Sequence, residues 1–174
     1  MRIYLRTTPN DVIVPFDYQQ KIVGTIHKWL GNNEIHDKIF LYSFSWLLGG
    51  NMIMDKGYNF SKGATLFISF YENKYLKVLI DTILSDPEMF CGLSVKEVTF
   101  EREPTFTEEP AFFRLATPIF IKRLIEGNGK KEQKFYFYDD RESNDLMTET
   151  LKHKMREAGL PDDDTLKVEF AKAS

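Results

Sequence analysis

Three side chains able to act on a phosphate ester stand close together early in the chain: His27, His36 and Lys38. Histidine titrates near neutrality without perturbation, so one imidazole can take a proton while a second gives one. A lysine beside such a pair can neutralise charge that builds up on a phosphate oxygen. In one continuous helix, nine residues would set His27 and His36 on opposite sides, about 180° apart. Gly31-Asn32-Asn33 lies between them and is a natural helix stop, so the two imidazoles can converge across the break. The same spacing is also compatible with ordinary packed or surface histidines. The third histidine, His153, stands between Lys152 and Lys154 and is expected at the surface.

The helix carrying His27 should open at Asp17, paired with Gln20 as a reciprocal cap, and run for about four turns. Tyr18, Ile22, Ile26, Trp29 and Leu30 fall on one face, with His27 on its flank. Before it, Arg2 to Thr8 alternates as a strand, with Ile3 and Leu5 on one side and Arg2, Tyr4 and Arg6 on the other. After it, the spacing predicts an aromatic strand from Ile39 to Leu48, with Phe40, Tyr42, Phe44 and Trp46 on one side. Such a ladder can stack bases, though core or interface packing is the commoner use. A glycine-containing hairpin region, a strand from Ala64 to Phe70, a helix from Asn73 to Leu84 and a strand from Leu93 to Arg102 follow.

That order of strand, helix, strand, strand, helix, strand predicts an α+β, ferredoxin-like (RRM-like) domain over residues 1–104. A linker, Thr105 to Pro110, precedes a second, incomplete ferredoxin-like domain over residues 111–174. Its strands are expected from Phe112 to Arg123, Lys134 to Tyr138 and Leu166 to Phe170, and its helix from Glu142 to Ala158.

At 43% hydrophobic residues with 15 phenylalanines, the 174 residues can bury a substantial core. No apolar run reaches the roughly 20 residues that cross a bilayer, and the polar start Met1-Arg2-Ile3-Tyr4 lacks a signal-peptide core. The expected location is the cytoplasm, with no membrane partner. Cys91 is the one cysteine, which excludes an internal disulfide and a cysteine-based zinc site; beside Phe90 it reads as a small buried hydrophobe. The net charge is −3, but unevenly spread. Residues 111–138 hold six bases (Arg114, Lys122, Arg123, Lys130, Lys131, Lys134) against two acids, whereas residues 139–174 hold ten acids against six bases. A basic segment on a mildly acidic chain permits phosphate binding.

With these residues in view, the chain resembles the CRISPR-repeat-processing endoribonucleases of the Cas-six type, in the repeat-associated (RAMP) superfamily built from two ferredoxin-like domains. The resemblance rests on an ordered set of motifs. They are M-R-I-x-L-R from Met1, V-P-F-D-Y-Q-x-x-I-x-G-x-I-x-K from Val14, and I-H-D-K from Ile35. L-x-D-P-E from Leu84, F-E-R-E-P from Phe100 and F-x-x-L-A-T-P-I-x-I from Phe112 complete it.

The resemblance implies metal-independent cleavage of CRISPR precursor RNA within each repeat. The ribose 2′-hydroxyl would attack the adjacent phosphate, leaving 2′,3′-cyclic phosphate and 5′-hydroxyl ends. By position, His36 matches the family's histidine after the first helix, and His27 stands where the family often has a tyrosine. Lys38 lies nearest the family's lysine, with Phe40 competing for that slot. His36 as acid, His27 as base and Lys38 on the phosphorane agree with the chemistry read from the residues, although the two histidines can exchange roles. RNA contacts are expected at Arg2, Tyr4, Arg6, Lys28, Lys122, Arg123, Lys130 and Lys131. CRISPR repeat RNA is the implied partner, with effector-complex proteins and a second copy of the chain as further candidates; no cofactor and no metal are expected. The family's glycine-rich loop near the C-terminus has no match here, since no glycine follows Gly159. The expectation is therefore a truncated or degenerate second domain, with activity depending on what is absent.

Two other functions fit the residues. A non-catalytic RNA-binding module would use the outward Arg2, Tyr4 and Arg6, and a protein-assembly domain would dock a partner on the aromatic strand. A metal-dependent nuclease fits least, because His36-Asp37 lacks neighbouring ligands.

Overall fold

Alternation along six residues makes an inner strand of the main sheet. In β1 (Arg2–Thr7), Ile3, Leu5 and Thr7 are fully buried, whereas Arg2, Tyr4 and Arg6 point the other way. The computed structural model describes residues 1–31, 41–101, 111–115, 117–127 and 130–171, and of Lys130 the backbone only. Its elements divide between two units, Met1–Phe112 and Phe113–Ser174.

In the first unit, α1 (Gln19–Leu30) is followed by β2 (Tyr42–Phe44), a small hairpin of β3 (Asn51–Ile53) and β4 (Gly57–Asn59), then β5 (Thr65–Phe70), α2 (Asn73–Ser85) and β6 (Val95–Glu101). The sheet order is β2-β5-β1-β6, with every neighbouring pair antiparallel. Setting the β3–β4 hairpin aside as an insertion, this is the double split strand-helix-strand topology of a ferredoxin-like domain. Both helices lie on one face: Ile22, Ile26, Trp29 and Leu30 of α1 and Leu76, Leu79 and Ile83 of α2 share one core with Ile3, Leu5, Leu66, Ile68 and Phe70.

Three expectations need correction here. No Asp17–Gln20 capping box forms; the helix starts one residue later, with Tyr18 at the cap and no side-chain cap bond. Packing sets that start, because Tyr18 is buried and its hydroxyl accepts a hydrogen bond from the Leu47 backbone N–H (3.1 Å). The aromatic strand is short: only Tyr42–Phe44 form β2, and Phe40 lies outside the described residues. Tyr42, Phe44 and Trp46 are half-buried against the core, so these three rings pack rather than stack ligands. Cys91 is only half-buried, with a positive φ of 55°.

The second unit contains β7 (Ile121–Gly127) paired with β8 (Lys130–Tyr136), then α3 (Ser143–Glu157). Phe112 does not begin a strand, since regular pairing starts only at Ile121; Pro118, with no N–H to donate, stands just before it. β8 starts before Lys134 and stops at Tyr136, because the Asp140 carboxylate takes the Phe137 N–H (2.6 Å). Residues 166–170 form no strand either. Their backbone N–H groups go to side chains of α3 instead, Val168 to Thr148 Oγ1 (2.9 Å) and Phe170 to Asn144 Oδ1 (3.1 Å).

Candidate nucleic-acid interface

His27 occupies the last turn of α1, half-buried on the flank of the apolar stripe. The helix stops at Gly31, whose φ of 71° lies in the left-handed region that suits glycine. The Gly31 N–H closes the turn on the carbonyls of His27 (3.0 Å) and Lys28 (3.3 Å). His36 and Lys38, the other two members of the expected catalytic set, lie outside the described residues.

This helix end is pinned from the side. Lys28 Nζ donates to the Glu88 carbonyl (2.6 Å) and pairs with the Asp86 carboxylate (2.9 Å), while Trp29 Nε1 donates to the Asp86 carbonyl (2.9 Å). The hydrogen bond from Lys28 holds the Asp86 carboxyl below its ordinary pKa. Lys28, expected to touch RNA, thus has its ammonium engaged by the loop after α2, and the motif L-x-D-P-E supplies the acid.

The sheet face opposite the helices carries the other early candidates. Arg2 lies over the Phe67 ring (4.6 Å to its centroid), donates to Ser69 Oγ (2.9 Å) and pairs with Glu101 (3.1 Å). The Tyr4 hydroxyl donates to the same carboxylate (3.3 Å), and its ring meets Phe67 edge-on at 5.7 Å. Arg6 pairs with Glu97 (3.4 Å). The register puts Glu101 opposite Arg2 and Glu97 opposite Arg6. Exposed pairs of this kind hold by about 0–1 kcal/mol, so a phosphate can compete for either guanidinium. Phe67, Glu97 and Glu101 were missed from sequence; their alternation in β5 and β6 was readable, but their proximity to Arg2 required the strand order.

In the second unit the structure separates residues that adjoin in sequence. Arg123 turns towards α3, donating to the Leu146 carbonyl (3.2 Å) and Thr150 Oγ1 (2.8 Å), with Glu149 at 3.7 Å. Lys122 and Lys131 lie on the opposite, exposed face of the hairpin. Lys134 sits over the Tyr136 ring at 4.3 Å. Among the described residues, no three His, Cys, Asp or Glu side chains are grouped to hold a metal ion, and no helix is long and apolar enough to cross a membrane.

No family model and no curated protein matches the chain. Solved structures do. One described as "CRISPR associated protein Cas6" superposes with a TM-score of 0.74 at 19% identity, covering 94% of this chain and 73% of its own. A second, "Characterization of a Cas6-related gene from Pyrococcus furiosus", gives a TM-score of 0.81 at 20% identity with the same coverage. The chain has a Cas6-type fold. A third neighbour, "An RAMP protein binding different RNA substrates", gives 0.71 at 18% identity over 92% of this chain and 72% of its own. At such low identity the likeness concerns the backbone, and the Cas6-type fold accounts for the antiparallel sheets and the three helices among the described residues. The side chains must argue the chemistry for themselves.

Proposed function

We propose that this protein binds CRISPR repeat RNA and cuts it without a metal ion. The observation that carries the reading is the Cas6-type fold over 94% of the chain, together with a histidine in the last turn of α1. In the proposed reaction, His27 takes the proton of a ribose 2′-hydroxyl as its oxygen bonds to the adjacent phosphorus. The bond from phosphorus to the 5′-oxygen breaks, and His36 protonates that oxygen. A 2′,3′-cyclic phosphate and a 5′-hydroxyl result. Lys38 balances the charge on the phosphorane, and the two histidines can exchange roles. Each proton transfer is worth about 10² to 10⁴ in rate.

Residues 1–104 carry the chemistry in this reading, and residues 111–174 add RNA contacts. Arg2, Tyr4 and Arg6 contact RNA from the sheet face, and Lys122, Lys130 and Lys131 from the hairpin. Lys28 and Arg123 act at second hand, through the helices they hold. Effector-complex proteins and a second copy of the chain are further partners, and the cytoplasm is the setting.

The decisive experiment incubates the protein with repeat RNA from its own genome in EDTA, beside His36→Ala and His27→Ala. Cleavage in chelator is expected, with a loss of about 10²-fold or more in each variant. Cleavage that needs a divalent ion, or that survives both substitutions, would overturn the assignment. Binding without cleavage by the wild type would favour a non-catalytic RNA-binding module, the reading suggested by the RNA-binding RAMP neighbour.

A further inference from the structure

The two faces of the β7–β8 hairpin differ in character. One buries Ile121 and Tyr136 and sends Arg123 to α3. The other presents Phe120 just ahead of β7, then Lys122 and Leu124, with Phe135 and Lys131 across the ladder. On that face Phe120 is 52% exposed, Phe135 45% and Leu124 66%. The two phenylalanine rings meet edge to face, with centroids 5.5 Å apart at 68°, so the contact leaves flat ring surface open. Lys122 stands directly opposite Phe135 and takes part in no ion pair among the described residues. Lys131 has Glu126 opposite it.

We infer that this outer face is a stacking site for unpaired bases of single-stranded RNA, with Phe120 and Phe135 as the platform and Lys122 on the neighbouring phosphate. Every base has a flat π-face, so such a platform is tolerant of sequence, and a lysine beside it takes the charge that each base brings with its backbone. A docking face for protein would place its charge at the rim, whereas here the lysine faces a ring across the ladder. The charge of that face agrees: Lys122 and Lys131 stand on it against one acid, Glu126. The inference deepens the RNA reading above but requires no cleavage.

The test uses the full chain and a labelled 2′-O-methyl oligoadenylate of about 10 nucleotides, within the span a single small domain engages. The proposed chemistry cannot cut it, since the attacking hydroxyl is blocked. Fluorescence anisotropy across a salt series compares wild type with Phe120→Leu, Phe135→Leu, Phe120→Tyr, Phe135→Tyr and Lys122→Ala. The leucine variants should bind about 5- to 100-fold more weakly with an unchanged salt slope, because stacking releases no counterions. The tyrosine variants should keep wild-type affinity, which controls for folding. Lys122→Ala should lower the slope by about 0.7. The probe annealed to its complement should lose the phenylalanine dependence.

Leucine variants that bind like wild type would overturn the stacking site, and so would tyrosine variants as weak as the leucines. A wild type that fails to bind the probe also ends this inference, whereas the repeat-RNA cleavage assay still decides the catalytic reading on its own.

Discussion

Lys28 shows how a charged residue can be engaged away from the partner its type suggests. Its ammonium, Asp86 and the Glu88 carbonyl tie the end of α1 to the loop after α2, and Trp29 Nε1 adds a fourth group. Since the pair lowers the pKa of Asp86, its contribution to stability is complete above the unfolded carboxylate value of about 4. It is lost as pH falls through the lower folded value. Asp86→Asn should therefore reduce the melting temperature at neutral pH, and the gap from wild type should close on acidification below pH 4. Melting curves across that range decide it; parallel curves would mean that the pair contributes nothing to the pH dependence. The same reasoning sorts Lys122 from Arg123. They are adjacent in sequence, yet only Lys122 lies on the exposed face of the hairpin with no ion-pair partner among the described residues, because a strand alternates its sides.

Among the elements, the β3–β4 hairpin depends on a glycine. Gly57 has a φ of 136°, and a Cβ there would drive into the Val14 carbonyl, which accepts the Tyr58 N–H at 2.7 Å. Gly57→Ala should cost more than about 1 kcal/mol, as expected where alanine meets a backbone it cannot adopt. Urea denaturation would show this as a lower midpoint, and an unchanged midpoint would mean that the hairpin shifts freely. α1 illustrates what periodicity reveals: Tyr18, Ile22, Ile26, Trp29 and Leu30 are all buried, as their spacing required. Its start was misread because the buried Tyr18, bonded to Leu47, fixes the helix entry, and no local capping rule contains that contact. Residues 166–170 were misread for a related reason. Their extended pattern was real, but the partners of their backbone lie on α3.

At the scale of the molecule, the buried core is distributed unequally. The first unit has a continuous core from Ile3 to Val95, whereas in the second unit the buried side chains among the described residues are Ile121, Tyr136 and Ser143. A two-stranded hairpin is marginal by itself, and α3 adds little apolar cover. Native-state hydrogen exchange should accordingly find β7, β8 and α3 opening at much lower free energy than β1 and β5. Equal protection in both units would show that the second is stabilised by contacts beyond its own core. This asymmetry bears on function, because an RNA bound to the hairpin face would stabilise the weaker unit by mass action.

The amino-acid sequence by itself determined the faces. Period-two alternation put Arg2, Tyr4 and Arg6 together, helical periodicity put His27 on the flank of α1, and the order of elements implied the ferredoxin-like topology. Those features are local, so a chain read a few residues at a time contains them. Only the tertiary structure decided which faces meet. Glu97 and Glu101 neutralise the β1 arginines, Asp86 engages Lys28, and Phe120 joins Phe135, each across a sequence separation that no local pattern spans. The physical reason is that strand order, register and helix packing fix such pairings, and these follow from burying the whole core at once rather than from any one segment.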